Sequence, residues 1–125
     1  MQPIPRTTAE PPRVSHVGIA RVREYLSSHA TKPVSLTELA SVACLSKYHF
    51  LRIFMRAYGM SPHAYQMRLR LDLARQLIVQ AQPLSFVAYE AGFADQSHLT
   101  RRFKGAFGVT PGAYAKRSRR HLIAA

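Results

Sequence analysis

The sequence predicts an all-α protein in which seven helices form two helix-turn-helix subdomains joined by a long linker helix. Three observations lead there. Apolar residues recur at helical spacing from about residue 14 onward, and no alternating stretch passes for a strand. The phrase "AYGMSPHAY" at residues 57–65 returns as "AFGVTPGAY" at 106–114, 49 residues later. The residues upstream of each phrase repeat as well, so the repeated unit is a pair of helices rather than a short motif.

Residues 1–13, "MQPIPRTTAEPPR", hold four of the eight prolines and no periodic pattern, and read as a flexible linker or tail. Ile19, Val22 and Leu26 then give a first helix its apolar stripe, which ends before Lys32 and Pro33. Ser35 opens a second helix: its hydroxyl caps, Glu38 reaches back in a capping box, and Val34 and Leu39 staple across the turn. That helix buries Leu36, Leu39, Ala40 and Ala43. Ser46 caps the third helix, whose inward residues are Phe50, Phe54 and Ala57, and the first helix-turn-helix thus occupies about 35–58.

The repeated phrase is a helix stop followed by a helix start. Gly59 and Gly108 stand past a last turn, where a positive φ suits glycine. Ser61 and Thr110 supply N-cap hydroxyls, and Pro62 and Pro111 fill the first helical position, where a missing N–H costs nothing. Met60 with Tyr65, and Val109 with Tyr114, are placed to form hydrophobic staples. Between the two phrases runs the linker helix, from Ser61 to about Gln80. It has no Gly and no internal Pro, and at 1.5 Å per residue it is about 27–30 Å long. Its expected packing residues are Leu69, Leu73 and Leu77, with Ala74 and Ile78 alongside.

The second helix-turn-helix covers about 84–107. Leu84, Val87, Ala88 and Ala91 match the buried face of the first copy at an offset of 48, and Ala94 is an extra residue in the turn that restores the offset to 49. Asp95 caps the next helix, which buries Leu99, Phe103 and Ala106. Gly92 supplies flexibility in this turn, whereas Cys44 holds the same place in the first copy and predicts a strained or differently shaped turn there. Pro83 stands where a capping side chain is expected. Residues 121–125 read as a C-terminal tail.

Charge narrows the function. Eighteen Lys and Arg face six Asp and Glu, a net charge of +12 that favours a polyanion such as nucleic acid, or an anionic membrane surface. Asp95 is the last acid, yet Arg101, Arg102, Lys104, Lys116, Arg117, Arg119 and Arg120 follow it. A lone cysteine, Cys44, makes no intramolecular disulfide and is expected as a small apolar filler between helices rather than a redox sensor. No apolar run nears the roughly 20 residues of a membrane span, and the start is unlike a signal peptide, so a soluble, cytoplasmic protein is expected. The six histidines lack metal-site spacing, and no nucleophile, base and acid set is present. Neither catalysis nor a metal nor a cofactor is expected. His49 and His98, equivalent in the repeat, are assigned to packing or a place near phosphate.

"GFADQSHLTRRFKGAFGVTPGAY", and more weakly "LSKYHFLRIFMRAYGMSPHAY", resemble the DNA-binding domain of the AraC/XylS family of bacterial transcription regulators, over roughly residues 14–120. The resemblance implies sequence-specific binding of double-stranded DNA, with the second helix of each unit in successive major grooves. It also implies an activator, with RNA polymerase as a further partner and a separate N-terminal sensor and dimerisation domain outside this chain, the alternative being a short, stand-alone regulator.

The residues themselves support that reading. With Phe50 and Phe54 inward, Lys47, Tyr48, Leu51, Arg52 and Met55 face outward; in the second copy the outward set is Gln96, Ser97, Thr100, Arg101 and Lys104. Gln suits adenine, Arg suits guanine, and the Thr methyl suits the thymine methyl. Tyr48, Leu51, Arg52, Gln96, Ser97, Thr100 and Arg101 are therefore the expected base-reading residues. Ser46, Lys47, Arg56, Arg102 and Lys104 are assigned to phosphates. Three roles stay open for Leu51 and Met55: the edge of the core, contact with thymine methyls, or contact with a partner domain. Because the outward sets differ, the operator is expected to be asymmetric. Other readings are an adaptor that binds protein or RNA through its basic helices, a methyltransferase fragment, which needs more cysteines than one, and a membrane-surface peptide, which needs one continuous apolar face.

Overall fold

The computed structural model describes residues 10–124, with side chains from 17 to 119. Within these, seven helices follow one another: α1 Glu10–His29, α2 Leu36–Ala43, α3 Lys47–Tyr58, α4 Pro62–Val79, α5 Leu84–Glu90, α6 Gln96–Phe107 and α7 Pro111–Ala124. Helix extends into both of the stretches expected to be tails. Helix α1 already includes residues 10–13, because Pro11 and Pro12 fall in its first turn, where no N–H is needed. Residues 1–9 lie outside the described residues. Helix α7 runs on through residues 121–124, a stretch with no helix-breaking residue.

The chain divides into two units, one taking in residues up to His29 and Pro33–Gln66, the other Ala30–Lys32 and the chain from Met67. The first buries Ile19, Val22 and Leu26 of α1 with Leu39, Ala40 and Ala43 of α2 and Phe50 and Phe54 of α3. Ser35 caps α2 as its sequence predicts: the Glu38 N–H donates to Ser35 Oγ at 3.0 Å, and the Ser35 N–H donates to Glu38 Oε1 at 3.5 Å. The other Glu38 oxygen accepts from the Tyr25 hydroxyl of α1.

The second unit buries Leu71, Ala74 and Ile78 of α4 against Val87, Ala88, Ala91, Phe93, Leu99 and Phe103. The linker's buried line is thus Leu71, Ala74 and Ile78, while Leu69, Leu73 and Leu77, expected as its packing residues, are half-buried beside it. In α3 and α6 the third inward position also moves. Ala57 and Ala106 are exposed, and Tyr58 and Phe107 carry the stripe instead, each ring packing on the phenylalanine four residues before it. A run of i, i+4 steps between large rings keeps more apolar surface from water than a switch to alanine would.

The two turns share one hydrogen-bond pattern. The Cys44 N–H donates to the Ser41 carbonyl at 3.0 Å and the Leu45 N–H to Ala40 at 3.0 Å; the Gly92 N–H donates to Tyr89 at 3.2 Å and the Phe93 N–H to Ala88 at 2.9 Å. Both turn residues have positive φ, 59° at Cys44 and 90° at Gly92. Cys44 is exposed and does not fill the space between helices. As a left-handed C-cap it lies past the last turn of α2, outside the helix–helix seam.

The helix stop and the helix cap of both hinges form as read. Gly59 and Gly108 take φ of 71° and 79° and donate to Met55 and Lys104, each at 2.8 Å. Ser61 Oγ accepts from Ala64 N–H and Thr110 Oγ1 from Ala113 N–H, each at 3.1 Å. The tyrosine of each phrase then packs against the preceding helix: Tyr65 lies 5.6 Å from Phe54, and Tyr114 lies 5.6 Å from Phe103, ring to ring. Helix α5 begins at Leu84 with no side-chain cap at Pro83.

Candidate nucleic-acid interface

Helix α6 is positioned at its start by Asp95, whose Oδ1 accepts the His98 N–H at 2.8 Å. Leu99 and Phe103, wholly buried, fix its rotation. At about 100° per residue, Ser97, Thr100, Arg101 and Lys104 then share an arc of roughly 100° on the other side, while Arg102 stands about 100° further round. Gln96, Ser97, Thr100 and Arg101 line one open concavity, so four expected base-reading residues come together. The Thr100 hydroxyl donates to the Gln96 carbonyl at 2.9 Å, which commits its proton to the helix.

Helix α3 repeats this arrangement with other chemistry. Ser46 Oγ accepts the His49 N–H at 3.2 Å, and Phe50 and Phe54 are wholly buried. Tyr48, Leu51, Arg52 and Met55 occupy the arc that Ser97, Thr100, Arg101 and Lys104 fill in α6. Tyr48 is 72% exposed and Met55 48%, whereas Leu51 is half-buried and lines a hollow with Val34, Leu36, Leu39 and Pro62. The Arg52 guanidinium lies 5.6 Å from the centre of the Tyr48 ring. Arg101 has Ser97 in place of that ring.

The residues assigned to phosphates, Ser46, Lys47, Arg56, Arg102 and Lys104, are all exposed. Neither α3 nor α6 contains an acid, so their cations have no carboxylate on the same helix. Two other arginines are occupied within the second unit. Arg70 donates from Nε to the Ala30 carbonyl at 2.6 Å and from Nη2 to Lys32 at 3.1 Å, and burial lowers its pKa from the ordinary value. Arg75 pairs with Asp72 at 3.3 Å and lies 4.8 Å from the centre of the Phe107 ring.

The histidine equivalence breaks down at the inserted residue. His49 is exposed, but His98 is half-buried, stands edge-on to Phe93 and accepts the Ala94 N–H on Nδ1 at 3.2 Å. The extra residue brings an extra backbone donor, and His98 satisfies it. The Arg70 clamp had no signal in the sequence, since its partners lie 38 and 40 residues away. The Tyr48–Arg52 contact had one, an aromatic and a cation four apart on a helix.

Among the described residues no group of three His, Cys, Asp or Glu could hold a metal ion; His16 and His121 lie outside the described side chains. No described helix is long and apolar enough to cross a membrane.

Residues 39–117 match the model of a helix-turn-helix domain family. The probable transcriptional regulator LumQ of Photobacterium leiognathi is 42% identical over 86 residues, which cover 68% of this chain and 35% of LumQ. The DNA-binding domain of AdpA, solved in complex with a target DNA, is similar in structure at a TM-score of 0.77 and 25% identity, over 82% of this chain and 94% of that one. A transcriptional regulator with an AraC-type DNA-binding domain from Chromobacterium violaceum shares the fold at a TM-score of 0.76 and 23% identity, over 83% and 94% of the two chains. The chain spans about a third of the length of the first curated relatives it matches, 35% and 30%.

Proposed function

Because the chain belongs to the AraC family of helix-turn-helix DNA-binding domains, we propose that it reads double-stranded DNA with α3 and α6 in two successive major grooves, as the DNA-binding part of a transcription regulator. The observation that carries this reading is the pair of equivalent, exposed, acid-free helix faces, each set by two buried aromatic or aliphatic residues and each holding an arginine at the same place, Arg52 and Arg101. Exposed arginines on such a face suit bidentate contact with guanine, and Gln96 suits adenine. Lys47, Arg56, Arg102 and Lys104, with the Ser46 hydroxyl, flank those faces as phosphate contacts.

Helix α4 has 18 residues, about 27 Å at 1.5 Å per residue, a length suited to bridging units that sit in grooves about 34 Å apart. Activation of transcription, contact with RNA polymerase, a sensor and dimerisation domain elsewhere in a longer protein, and a place at the nucleoid in the cytoplasm complete the proposal, in keeping with the resemblance.

Salt dependence tests it. Neutralising roughly six to eight phosphates makes affinity for a selected duplex fall about a thousandfold or more between 50 and 200 mM salt. Fluorescence anisotropy on labelled duplex measures this, and a flat profile contradicts the reading. Displacement by excess mixed-sequence single-stranded RNA would instead favour an RNA adaptor.

A further inference from the structure

Helices α3 and α6 hold equivalent places in the repeat, yet they present opposed chemistry. Where α6 carries Ser97, Thr100 and Lys104, α3 carries Tyr48, Leu51 and Met55. Leu51 is partly taken up by the hollow beside α2, but Tyr48 and Met55 are both exposed. The two lie seven residues apart, on the same side of the helix and about 10.5 Å along its axis.

A major groove gives such a face a single favourable target. Base edges there offer N–H donors, N and O acceptors and one apolar group, the C5-methyl of thymine. Laid against the donors and acceptors, an apolar side chain strips their water and returns no hydrogen bond. Laid against the methyl, it buries apolar surface on both partners. The Arg52 guanidinium over the Tyr48 ring also restrains that ring before binding, which lowers the ordering cost of using an exposed aromatic as a contact.

Resting on the DNA reading above, we propose that α3 selects its half-site by the 5-methyl group of pyrimidines, through Tyr48 and Met55 with Leu51 between them, whereas α6 selects by hydrogen bonds. At about 3.4 Å per base pair the patch covers about three consecutive steps. Unmethylated cytosine is disfavoured there because it offers no methyl to bury, and 5-methylcytosine recovers part of the loss.

The test uses the chain on its selected duplex, with each thymine replaced singly by deoxyuridine, which removes the methyl and leaves pairing intact. Affinity is expected to fall about fourfold per contacted methyl, the equivalent of one CH2 group's transfer from water, at one to three neighbouring positions. The double substitution Tyr48→Ser with Met55→Lys, which gives α3 the residues of α6 at those two places and leaves only the half-buried Leu51, should remove most of that sensitivity while base preference at the Arg101 half-site persists, showing that the variant still folds and binds. Specific binding that is indifferent to uracil at every position overturns this proposal and leaves the DNA reading standing. Sensitivity in the α3 half-site that is undiminished by the double substitution also overturns it. A chain that binds no duplex overturns the DNA reading, and this one with it.

Discussion

The Tyr25 hydroxyl of α1 donates to the Glu38 carboxylate, the same carboxylate whose other oxygen closes the capping box of α2. One side chain thus caps a helix and ties it to its neighbour. Glu38→Ala should lower the urea midpoint, because it removes one half of the capping box and the tie to α1 together. The contact also carries a pH signature. The pKa of Tyr25 is raised above 10.0, first by this hydrogen bond, then by burial and by the carboxylate's charge. A raised folded-state pKa means that the contribution is fully present below about pH 10 and is lost as pH climbs through the raised value. Urea midpoints of the wild type should therefore fall more between pH 9 and 11 than those of Tyr25→Phe; parallel curves would contradict the contact.

Cys44 and Ala81 hold left-handed backbone at φ of 59° and 65° without being glycine. Cys44→Gly and Ala81→Gly should each stabilise the protein by about 0.5–1 kcal/mol, the residue of relieved strain after the entropy that glycine adds to the unfolded chain. Gly92→Ala should do the reverse and by more, since its Cβ would stand 2.7 Å from the Thr31 carbonyl oxygen as well as at φ of 90°. Chemical denaturation of the three variants gives the order directly.

Arg70 separates structural from DNA-facing charge. Arg70→Gln removes bonds to the Ala30 and Lys32 carbonyls and should cost about 1–3 kcal/mol in denaturation. The slope of log affinity against log salt should stay as it is, because that guanidinium is already engaged in its own unit. A slope lowered by about one would place Arg70 at a phosphate instead.

On α6, Arg101 and Arg102 are neighbours in sequence and about 100° apart around the helix. Arg101→Ala should relax base preference at one or two positions and cost about 1–3 kcal/mol on the best site, while Arg102→Ala should weaken all duplexes alike. Competition between the selected site and single-base variants measures both, and identical outcomes would undo the assignment of faces.

The repeat made most of the fold legible. Caps at Ser35, Ser46 and Asp95 and both Gly-Pro hinges are local codes, satisfied within a few residues, so the chain states them openly. What stayed hidden depends on partners far away in sequence or on a competition between neighbours. Arg70 finds its carbonyl partners 38 and 40 residues away, so no neighbouring residue marks its role. Ala57 and Ala106 were expected inside, but the larger, half-buried Tyr58 and Phe107 continue the stripe. His98 departs from His49 because Ala94 adds a donor to the turn, a consequence of the insertion that composition alone does not express. The outward faces of α3 and α6 were readable from periodicity, and the i, i+4 spacing of Tyr48 and Arg52 already marks their contact.

Selection of bound sequences from a random duplex library tests the central claim most directly, that one chain reads two unlike half-sites through α3 and α6. The account predicts a single asymmetric site with two preferred clusters centred about 10–10.5 base pairs apart, one helical turn of DNA, the α3 cluster rich in thymine and the α6 cluster containing guanine and adenine. A palindromic site, a single short cluster, or no enrichment over the starting library would contradict it.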